Sequence, residues 1–234
     1  DYVRDFQSVM QRHNIVLPDR ELVCAPLDTS EGRAYLAAMQ AAANFAFANR
    51  QMLAMLVRES FDGVLANSGL PSQLRQVYDV AHNIAKMEEH TVDGRPRRTV
   101  VHRKGATRAF PRDRPEVPDR YRAIGQPVLI PGDMRSGSYV LVGTERAMEE
   151  AFGSTCHGAG RVMSRNEAIR SFTVKGIQDS LSSKGIFLKS ATKDGILEEA
   201  PEAYKNIESV IDVVVGAGLS RKVARLTPIG VMKG

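Results

Sequence analysis

The sequence lacks several features that would assign it to familiar classes of protein. It has no tryptophan and only two cysteines among 234 residues, so we expect neither a disulfide framework nor a cysteine-rich zinc site. No apolar run approaches the roughly 20 residues that cross a bilayer. The first residues, DYVRDFQSVM, are charged and do not resemble a signal peptide. We therefore expect a cytoplasmic protein with no membrane partner.

Two common catalytic motifs are also missing. No pair of histidines has the spacing of an H-E-x-x-H metal site, and the glycine loop in IPGDMRSGSYV lacks the Gly-Lys-Ser/Thr ending of a P-loop. The formal net charge of +5 is compatible with binding nucleic acid or nucleotides but does not prove it.

The residue pattern predicts short strands mixed with helices, in an α+β fold without regular βαβ spacing. A helix is predicted from about Ser30 to Phe61, capped by Ser30 or Thr29. The other predicted elements are strands in VYDVAH and TVDGRPRRTVVH with a turn at Asp93-Gly94, strands on both sides of PGDMRSG, helices over 145–152 and 164–172, an amphipathic helix in PEAYKNIESVIDVVVGAG, and one final strand in RKVARLTPIGVMKG. Prolines predict an irregular loop in PRDRPEVPDRYRAIG. We expect one compact domain.

The stretch STCHGAGR is the richest in chemistry. Gly158 and Gly160 would open backbone N–H groups beside His157, next to the start of a predicted helix. Arg161 and Arg165 would share one face of that helix. A neutral imidazole nitrogen in such a place can attack phosphorus. The residues alone leave a nucleophilic site and a plain glycine-rich turn equally open.

Three other features have a structural and a functional interpretation. The spacing around His82 favours a structural histidine over a metal ligand. The basic turn VHRKGATRAF, which contains Lys104, is either a phosphate site or a solvated hairpin end. The loop IPGDMRSGSYV offers backbone amides that can cradle an anion or a purine edge.

Together these stretches closely resemble one family. The segments YDVAHNIAKMEEH, VHRKGATRAFP, GQPVLIPGDM, SYVLVGTERAMEEAFGSTCHGAGRVMSR and the terminal KG are similar to the RtcB-type RNA ligases of tRNA splicing and RNA repair. The segment LPDRELVCAPLDTSEGRAYLAAMQAAANFAFANRQ matches the same family. The resemblance implies that residues 1–234 are the C-terminal, nucleotide-bearing part of one RtcB-like catalytic domain, incomplete at its N-terminal side.

The resemblance also implies an activity. Enzymes of this type join an RNA 3′-phosphate or 2′,3′-cyclic phosphate to a 5′-hydroxyl, using GTP and manganese. His157 matches the histidine that attacks the α-phosphate of GTP and forms a covalent histidine–GMP. The expected partners are RNA, as tRNA halves or broken RNA, and archease, which activates some members.

Motif matching assigns further residues. His82 corresponds to a manganese ligand. The residues matched to nucleotide contacts are His82, Asn83, Pro131, Gly132, Asp133, Met134, Ser138, His157, Gly158, Ala159, Gly160, Tyr204 and Lys233. The residues matched to RNA phosphate contacts are Lys104, Arg161 and Arg165.

The nucleotide loop departs from the family pattern. Many members carry serine where this chain has Asp133, and glycine where it has Arg135. An ionised aspartate cannot donate a hydrogen bond as serine does, but it can accept from the N–H groups of guanine. We therefore expect Asp133 to contribute to GTP binding and the preference for GTP to survive.

The second departure concerns the metal. The aspartate, cysteine and two histidines that complete the family's manganese site lie in an N-terminal half that this chain lacks. One histidine cannot hold manganese alone. We therefore expect the chain by itself to be inactive or very weak, with the missing half as its partner.

Two alternatives to a ligase remain open. One is an inactive remnant that binds RNA or nucleotide. The other is a histidine-phosphorylated signalling protein, although that would leave the guanine loop and Lys233 without a use.

Overall fold

The computed structural model describes residues 2–19 and 21–233. Asp1, Arg20 and Gly234, the last residue of the terminal Lys-Gly pair, lie outside the described residues. The chain divides into one unit that ends at Val77 and another that begins at Tyr78. Helices and several small sheets are mixed, which confirms the predicted α+β class. One catalytic domain over residues 1–234 stays a prediction.

The first unit contains two helices, α1 (Tyr2–Arg12) and α2 (Ser30–Leu65). Thr29 caps α2, as the sequence predicts, because its hydroxyl oxygen accepts a hydrogen bond from the Gly32 N–H at 3.0 Å. The rings of Tyr2 and Phe6 pack edge-on against the ring of Tyr35, with centroids 5.4 and 5.3 Å away. These contacts join the two helices.

Helix α2 is apolar around much of its surface. Within the described chain, Gly32 is its only buried residue, while Phe45 is 76% and Val64 80% exposed. Small alanines on several faces of this segment predict a helix packed on more than one side, and the described residues do not show that packing. No helix among residues 2–19 and 21–233 has the length and apolarity to cross a membrane.

The second unit begins with a long hairpin of β1 (Asn83–Val92) and β2 (Arg95–Lys104). Asp93 and Gly94, with φ of 51° and 72°, form its turn. Two consecutive residues of positive φ suit the twist of a hairpin, and Asp-Gly is a favoured pair for this geometry. The prediction of a hairpin at these residues is confirmed.

The strand predicted over VYDVAH is wrong, because residues 77–82 belong to no strand and β1 begins at Asn83. The carbonyl groups of Ala81 and His82 accept hydrogen bonds from residues outside any strand ladder with this segment. The Thr107 hydroxyl donates to the Ala81 carbonyl at 3.1 Å, and the Gly105 N–H donates to the His82 carbonyl at 3.0 Å. An apolar sequence pattern of this kind indicates an extended backbone, but it does not indicate whether another strand pairs with it.

A three-stranded antiparallel sheet forms the first core. Its strands, in spatial order, are β4 (Pro127–Pro131), β5 (Ser138–Gly143) and β8 (Ser220–Leu226). Helix α8 (Ile207–Gly216) covers this sheet, and its Ile207 and Ile211 pack with Ile130 and Leu141. The residues on both sides of PGDMRSG form strands, as predicted.

The remaining elements are short. They are β3 (Ala106–Arg108), α3 (Asp119–Arg122), α4 (Glu145–Ala151), β6 (Ser154–Cys156), α5 (Arg165–Ser171), α6 (Val174–Ser182), β7 (Phe187–Ser190), α7 (Lys193–Leu197), a 3-10 helix (Pro201–Ala203) and β9 (Gly230–Lys233). Strand β3 pairs antiparallel with β6, and β7 pairs parallel with β9. A second core lies around Met134, Ile177 and Leu181.

Three segments differ from their predictions. The loop PRDRPEVPDRYRAIG contains the single turn α3. Asn206 caps α8 by accepting from the Glu208 N–H at 2.8 Å, so PEAYKN is not part of that helix. The single final strand predicted in RKVARLTPIGVMKG is two strands in different sheets, β8 and β9, separated by a segment with Pro228, which has no N–H to donate.

A buried arginine connects the hairpin to β6. Arg103 is 2% exposed, and its two terminal nitrogens each donate to a Glu88 carboxylate oxygen at 2.8 Å. Its Nε donates to Ser154 Oγ at 2.9 Å, and one terminal nitrogen also donates to the Phe152 carbonyl at 2.8 Å. His90 Nε2 lies 3.0 Å from Glu88 Oε2. One side chain thus fixes β1, β2 and the turn before β6.

We predict that Arg103→Ala lowers the free energy of unfolding by about 3 kcal/mol or more, because it leaves the Glu88 carboxylate buried and uncompensated. Urea denaturation followed by circular dichroism measures this change. The matched control, Arg98→Ala, removes an exposed arginine from the same strand and should change stability by less than about 0.5 kcal/mol. Equal losses in the two variants would contradict a special role for Arg103.

Candidate nucleotide site

His157 follows β6 directly and lies among close neighbours. Its ring faces that of His82, with centroids 4.6 Å apart. Gly105 has a φ of +67°, which favours glycine, and a Cβ atom there would lie 3.4 Å from His157 Nε2, an ordinary contact distance. The Ala159 N–H donates to the Pro131 carbonyl at 3.0 Å. The His-Gly-Ala-Gly stretch is thereby attached to the end of β4.

The surroundings of His157 favour its neutral form. Burial, and then the neighbouring His82 and Lys104, hold the pKa of His157 below its ordinary value. The imidazole therefore keeps an unprotonated nitrogen to a lower pH than an ordinary histidine does. A nucleophile or a metal ligand both need this form.

A cavity of about 260 Å³, here called the loop cavity, lies beside the glycine loop. Six predicted site residues line it: Gly132, Asp133, Met134, Ser138, Tyr204 and Lys233. Glu199 and the segment 226–228 complete much of the wall. Backbone amides, a carboxylate and an ammonium group around a small cavity suit a planar ligand rich in hydrogen-bonding groups.

A second cavity of about 360 Å³, here called the histidine cavity, contains His82 and His157. Pro131, Ser138 and Leu226 also line it, and Ser138 and Leu226 belong to the loop cavity as well. The two cavities therefore adjoin along these two residues.

Glycine is required at two positions of the loop. A Cβ on Gly132 would lie 2.3 Å from the Gly137 carbonyl oxygen, and a Cβ on Gly137 would lie 2.3 Å from the Leu226 carbonyl oxygen. Gly137 also has a φ of +99°. No other side chain fits without moving backbone, so these glycines fix the shape of the loop cavity.

The Asp133 carboxylate is bonded to its own loop. Its Oδ1 accepts from the N–H groups of Arg135 and Ser136 at 2.7 and 2.9 Å, and its Oδ2 accepts from the Ser136 hydroxyl at 2.5 Å. This is the local bonding by which aspartate stabilises turns. Asp133 lines the loop cavity, and whether it also accepts from a base stays a prediction.

Asn83 and Lys104 face each other at the base of the hairpin. Asn83 Oδ1 accepts from the Gly105 N–H at 3.0 Å and so supports the residue that lies against His157. Lys104 is exposed, and its charge acts on the His157 ring. The structure thus brings both residues to the histidine cavity without placing them in its lining.

The shared helix face predicted for Arg161 and Arg165 is wrong, because Ser164 caps α5 and Arg161 lies before the helix. The two arginines nevertheless come together on acidic residues. Arg161 Nη1 lies 3.4 Å from Glu199 Oε1, and Arg165 Nε lies 3.9 Å from the same oxygen. Arg165 also lies 3.7 Å from Glu198 Oε2.

The main residue missed by the sequence analysis is Glu199. It lines the loop cavity and contacts Lys233, Tyr204 and Arg161. No spacing signal predicts this, because the contacts with Lys233 and Arg161 join distant parts of the sequence. Gly105 was also missed, although its place inside the basic turn HRKGATR was a usable signal.

The described residues do not supply enough further ligands for the manganese ion predicted at His82. Among residues 2–19 and 21–233, no three His, Cys, Asp or Glu side chains converge to hold a metal ion. Two adjacent imidazoles are too few donors for such a site. The described residues therefore do not fit a complete manganese site.

A family model described as "tRNA-splicing ligase RtcB" matches residues 1–234. This chain belongs to that family. Proteins named tRNA-splicing ligase RtcB from Methanococcus maripaludis, Archaeoglobus fulgidus and Pyrococcus abyssi are 50%, 53% and 53% identical to the whole chain. The chain spans 49%, 48% and 26% of their respective lengths, so it is half or less of each relative.

We predict that Lys104→Ala raises the pKa of His157 towards its ordinary value, because it removes a positive charge that disfavours the imidazolium. Titration of the histidine ring signals by NMR measures this pKa. Arg97→Ala, an exposed arginine near the other end of β2, is the matched control and should leave it unchanged. A fall in the pKa, or no change, would count against this electrostatic account.

We predict that Asp133→Ala weakens the binding of GMP about fivefold, because the loop loses the acceptor for two backbone N–H groups. Asp133→Asn keeps an oxygen at that position and should bind within about twofold of the unaltered chain. Isothermal titration calorimetry compares the two variants. If Asp133→Asn is as weak as Asp133→Ala, the charge on the carboxylate matters more than the turn.

Proposed function

We propose that this chain is the nucleotide-bearing part of an RNA ligase that joins 3′-phosphate or 2′,3′-cyclic phosphate ends to 5′-hydroxyl ends with GTP and manganese. Membership of the family supports the ligase assignment. The observation that carries the covalent chemistry is the position of His157, with its lowered pKa, in a cavity that adjoins the loop cavity.

The proposed first step uses the unprotonated imidazole nitrogen of His157. It attacks the α-phosphorus of GTP, an N–P bond forms, and pyrophosphate leaves. Water first opens a 2′,3′-cyclic end to a 3′-phosphate by breaking the bond from phosphorus to O2′. An oxygen of the RNA 3′-phosphate then attacks the same phosphorus of the histidine-bound GMP and releases His157, which gives a pyrophosphate-linked RNA end. Finally, the 5′-hydroxyl oxygen attacks the RNA phosphorus, and GMP leaves.

The two cavities support a particular orientation of the nucleotide. The guanine would lie in the loop cavity, where Lys233 and Tyr204 meet the glycine loop. The α-phosphate would lie in the histidine cavity, near His157. Lys104 would balance the charge of the phosphates from its exposed position close to the imidazole.

Arg161 and Arg165 are the proposed contacts of the RNA 3′-phosphate. Both hold a carboxylate, Glu198 or Glu199, in the present arrangement. A phosphate presents oxygens that suit the same guanidinium groups, so it would exchange with these carboxylates. The acidic pair occupies the place that we assign to the phosphate.

Manganese requires donors beyond His82. The described residues offer no complete site, so we assign no step to the metal. Relatives are two to four times as long as the aligned region, and further donors would come from a part that this chain does not include. The missing half is therefore a proposed partner, and without it the chain would be inactive or very weak. The other proposed partners are RNA, as tRNA halves or broken RNA, and archease as an activator.

The test is the mass of the chain after incubation with GTP and manganese, with and without the N-terminal half. We expect an acid-labile gain of one GMP that needs the other half. His157→Ala should abolish the gain, because it removes the attacking nitrogen. The control is His13→Ala, which removes an exposed histidine directly after α1 and should leave the mass gain unchanged.

The outcomes separate the alternatives. No gain in the complete protein, together with binding of GMP or RNA, would favour the inactive binding remnant. A gain that survives His157→Ala would assign the nucleophile elsewhere. Phosphate instead of GMP on His157 would favour the signalling protein.

A further inference from the structure

The two oxygens of the Glu199 carboxylate face different groups. Oε1 lies 3.4 Å from Arg161 Nη1 and 3.9 Å from Arg165 Nε. Oε2 accepts a short hydrogen bond from the Tyr204 hydroxyl and lies 3.4 Å from Lys233 Nζ. One carboxylate therefore bridges the two arginines and two residues of the loop cavity.

On the side of the loop cavity, Glu199 restrains Lys233. An ammonium group has three donors, and the one that meets Glu199 Oε2 leaves the others for a ligand. Without this contact, the flexible lysine chain would sample many rotamers and lose entropy on binding. Tyr204, held by the same oxygen, forms an adjoining part of the wall.

On the other side, Glu199 neutralises positive charge. Arg161 also donates to the Tyr204 hydroxyl at 3.0 Å, and its guanidinium lies 4.8 Å from the centre of the Tyr204 ring. Arg165 is more exposed and also approaches Glu198. Any anion that binds this pair must compete with Glu199, so the carboxylate weakens anion binding.

The charge state of Glu199 agrees with this geometry. Burial opposes its ionisation, but the hydrogen bond from Tyr204 and the charges of Lys233 and Arg161 hold the pKa of Glu199 below its ordinary value. Burial and Glu199 together raise the pKa of Tyr204 to about 12. At neutral pH the carboxylate is thus ionised and the tyrosine remains a donor.

We propose that Glu199 is a positioning residue that couples the loop cavity to the arginine pair, Arg161 and Arg165. It orients Lys233 and Tyr204 for the base, and it weakens the binding of the RNA phosphate by the arginine pair. This inference rests on the proposed function, since it takes GMP and an RNA 3′-phosphate as the two ligands. A residue that only stabilised the fold would affect both ligands in the same direction.

The test is Glu199→Gln, which keeps the size of the side chain and removes its charge. We expect the preference for GMP over AMP to fall about fivefold to tenfold, because Lys233 is no longer oriented. We expect an RNA oligonucleotide with a 3′-phosphate to bind about twofold to fivefold more tightly relative to its 3′-hydroxyl counterpart, because the carboxylate charge that competes for the two arginines is removed. Calorimetry at low salt measures both ratios.

The matched control is Glu208→Gln. Glu208 also accepts from a tyrosine hydroxyl, that of Tyr139, and lies 3.1 Å from Arg225 Nη2. The described lining of the loop cavity does not include Glu208, so neither ratio should change. Circular dichroism establishes that both variants are folded before they are compared.

A second variant tests the route by which Glu199 acts on the base. Lys233→Gln should lower the preference for GMP by itself. In that background, Glu199→Gln should lower the preference much less than it does alone, because part of the effect of Glu199 passes through Lys233 and only the part through Tyr204 remains. Additive losses of preference would overturn the proposed route.

The remaining outcomes are distinct. An unaltered chain that prefers neither GMP nor the 3′-phosphate, even together with its N-terminal half, would overturn the proposed function and this inference together. An unaltered chain with both preferences, but a Glu199→Gln variant in which both ligands weaken or neither changes, would overturn the inference alone. Opposite changes in the two ratios would support it.

Discussion

The buried guanidinium of Arg103 donates hydrogen bonds to both the hairpin and the start of β6. The position of His157, which follows β6, depends on these bonds. Its bonds to Glu88 lock the hairpin, and its bonds to Phe152 and Ser154 fix the start of β6. The strand β6 then leads to His157. A buried charge of this kind is tolerated because every partner is in place, which makes the arrangement rigid.

The same arginine also controls the other wall of the site. Two residues after Arg103, Gly105 lies against the His157 ring, and β3 then pairs with β6 in a register that sets Ala106 opposite Cys156. The wall and the nucleophile candidate are therefore positioned from one hairpin. This arrangement explains how a half-buried imidazole can keep a defined orientation although no carboxylate among the described residues forms a hydrogen bond with it.

Short-range signals in the sequence predicted much of this structure, because turns and caps act within a few residues. Asp93-Gly94 and the Thr29 cap are examples. The helix face proposed for Arg161 failed for a similarly local reason, since Ser164 starts the helix after it. Glu199 could not be predicted from spacing: its partners Lys233 and Arg161 lie 34 and 38 residues away. Such contacts depend on tertiary packing, which local patterns do not encode.

The two adjoining cavities differ in charge, and this difference gives the site a direction. The loop cavity contains the carboxylates of Asp133 and Glu199, whereas the described lining of the histidine cavity contains none. A carboxylate beside His157 would favour its protonated form and reduce its nucleophilicity, while Lys104 does the opposite. Under the proposed function, the donor groups of a base would be attracted to the end with the carboxylates, and the phosphates would lie at the end without them. The electrostatics that keep the imidazole neutral would then also favour this orientation of a nucleotide.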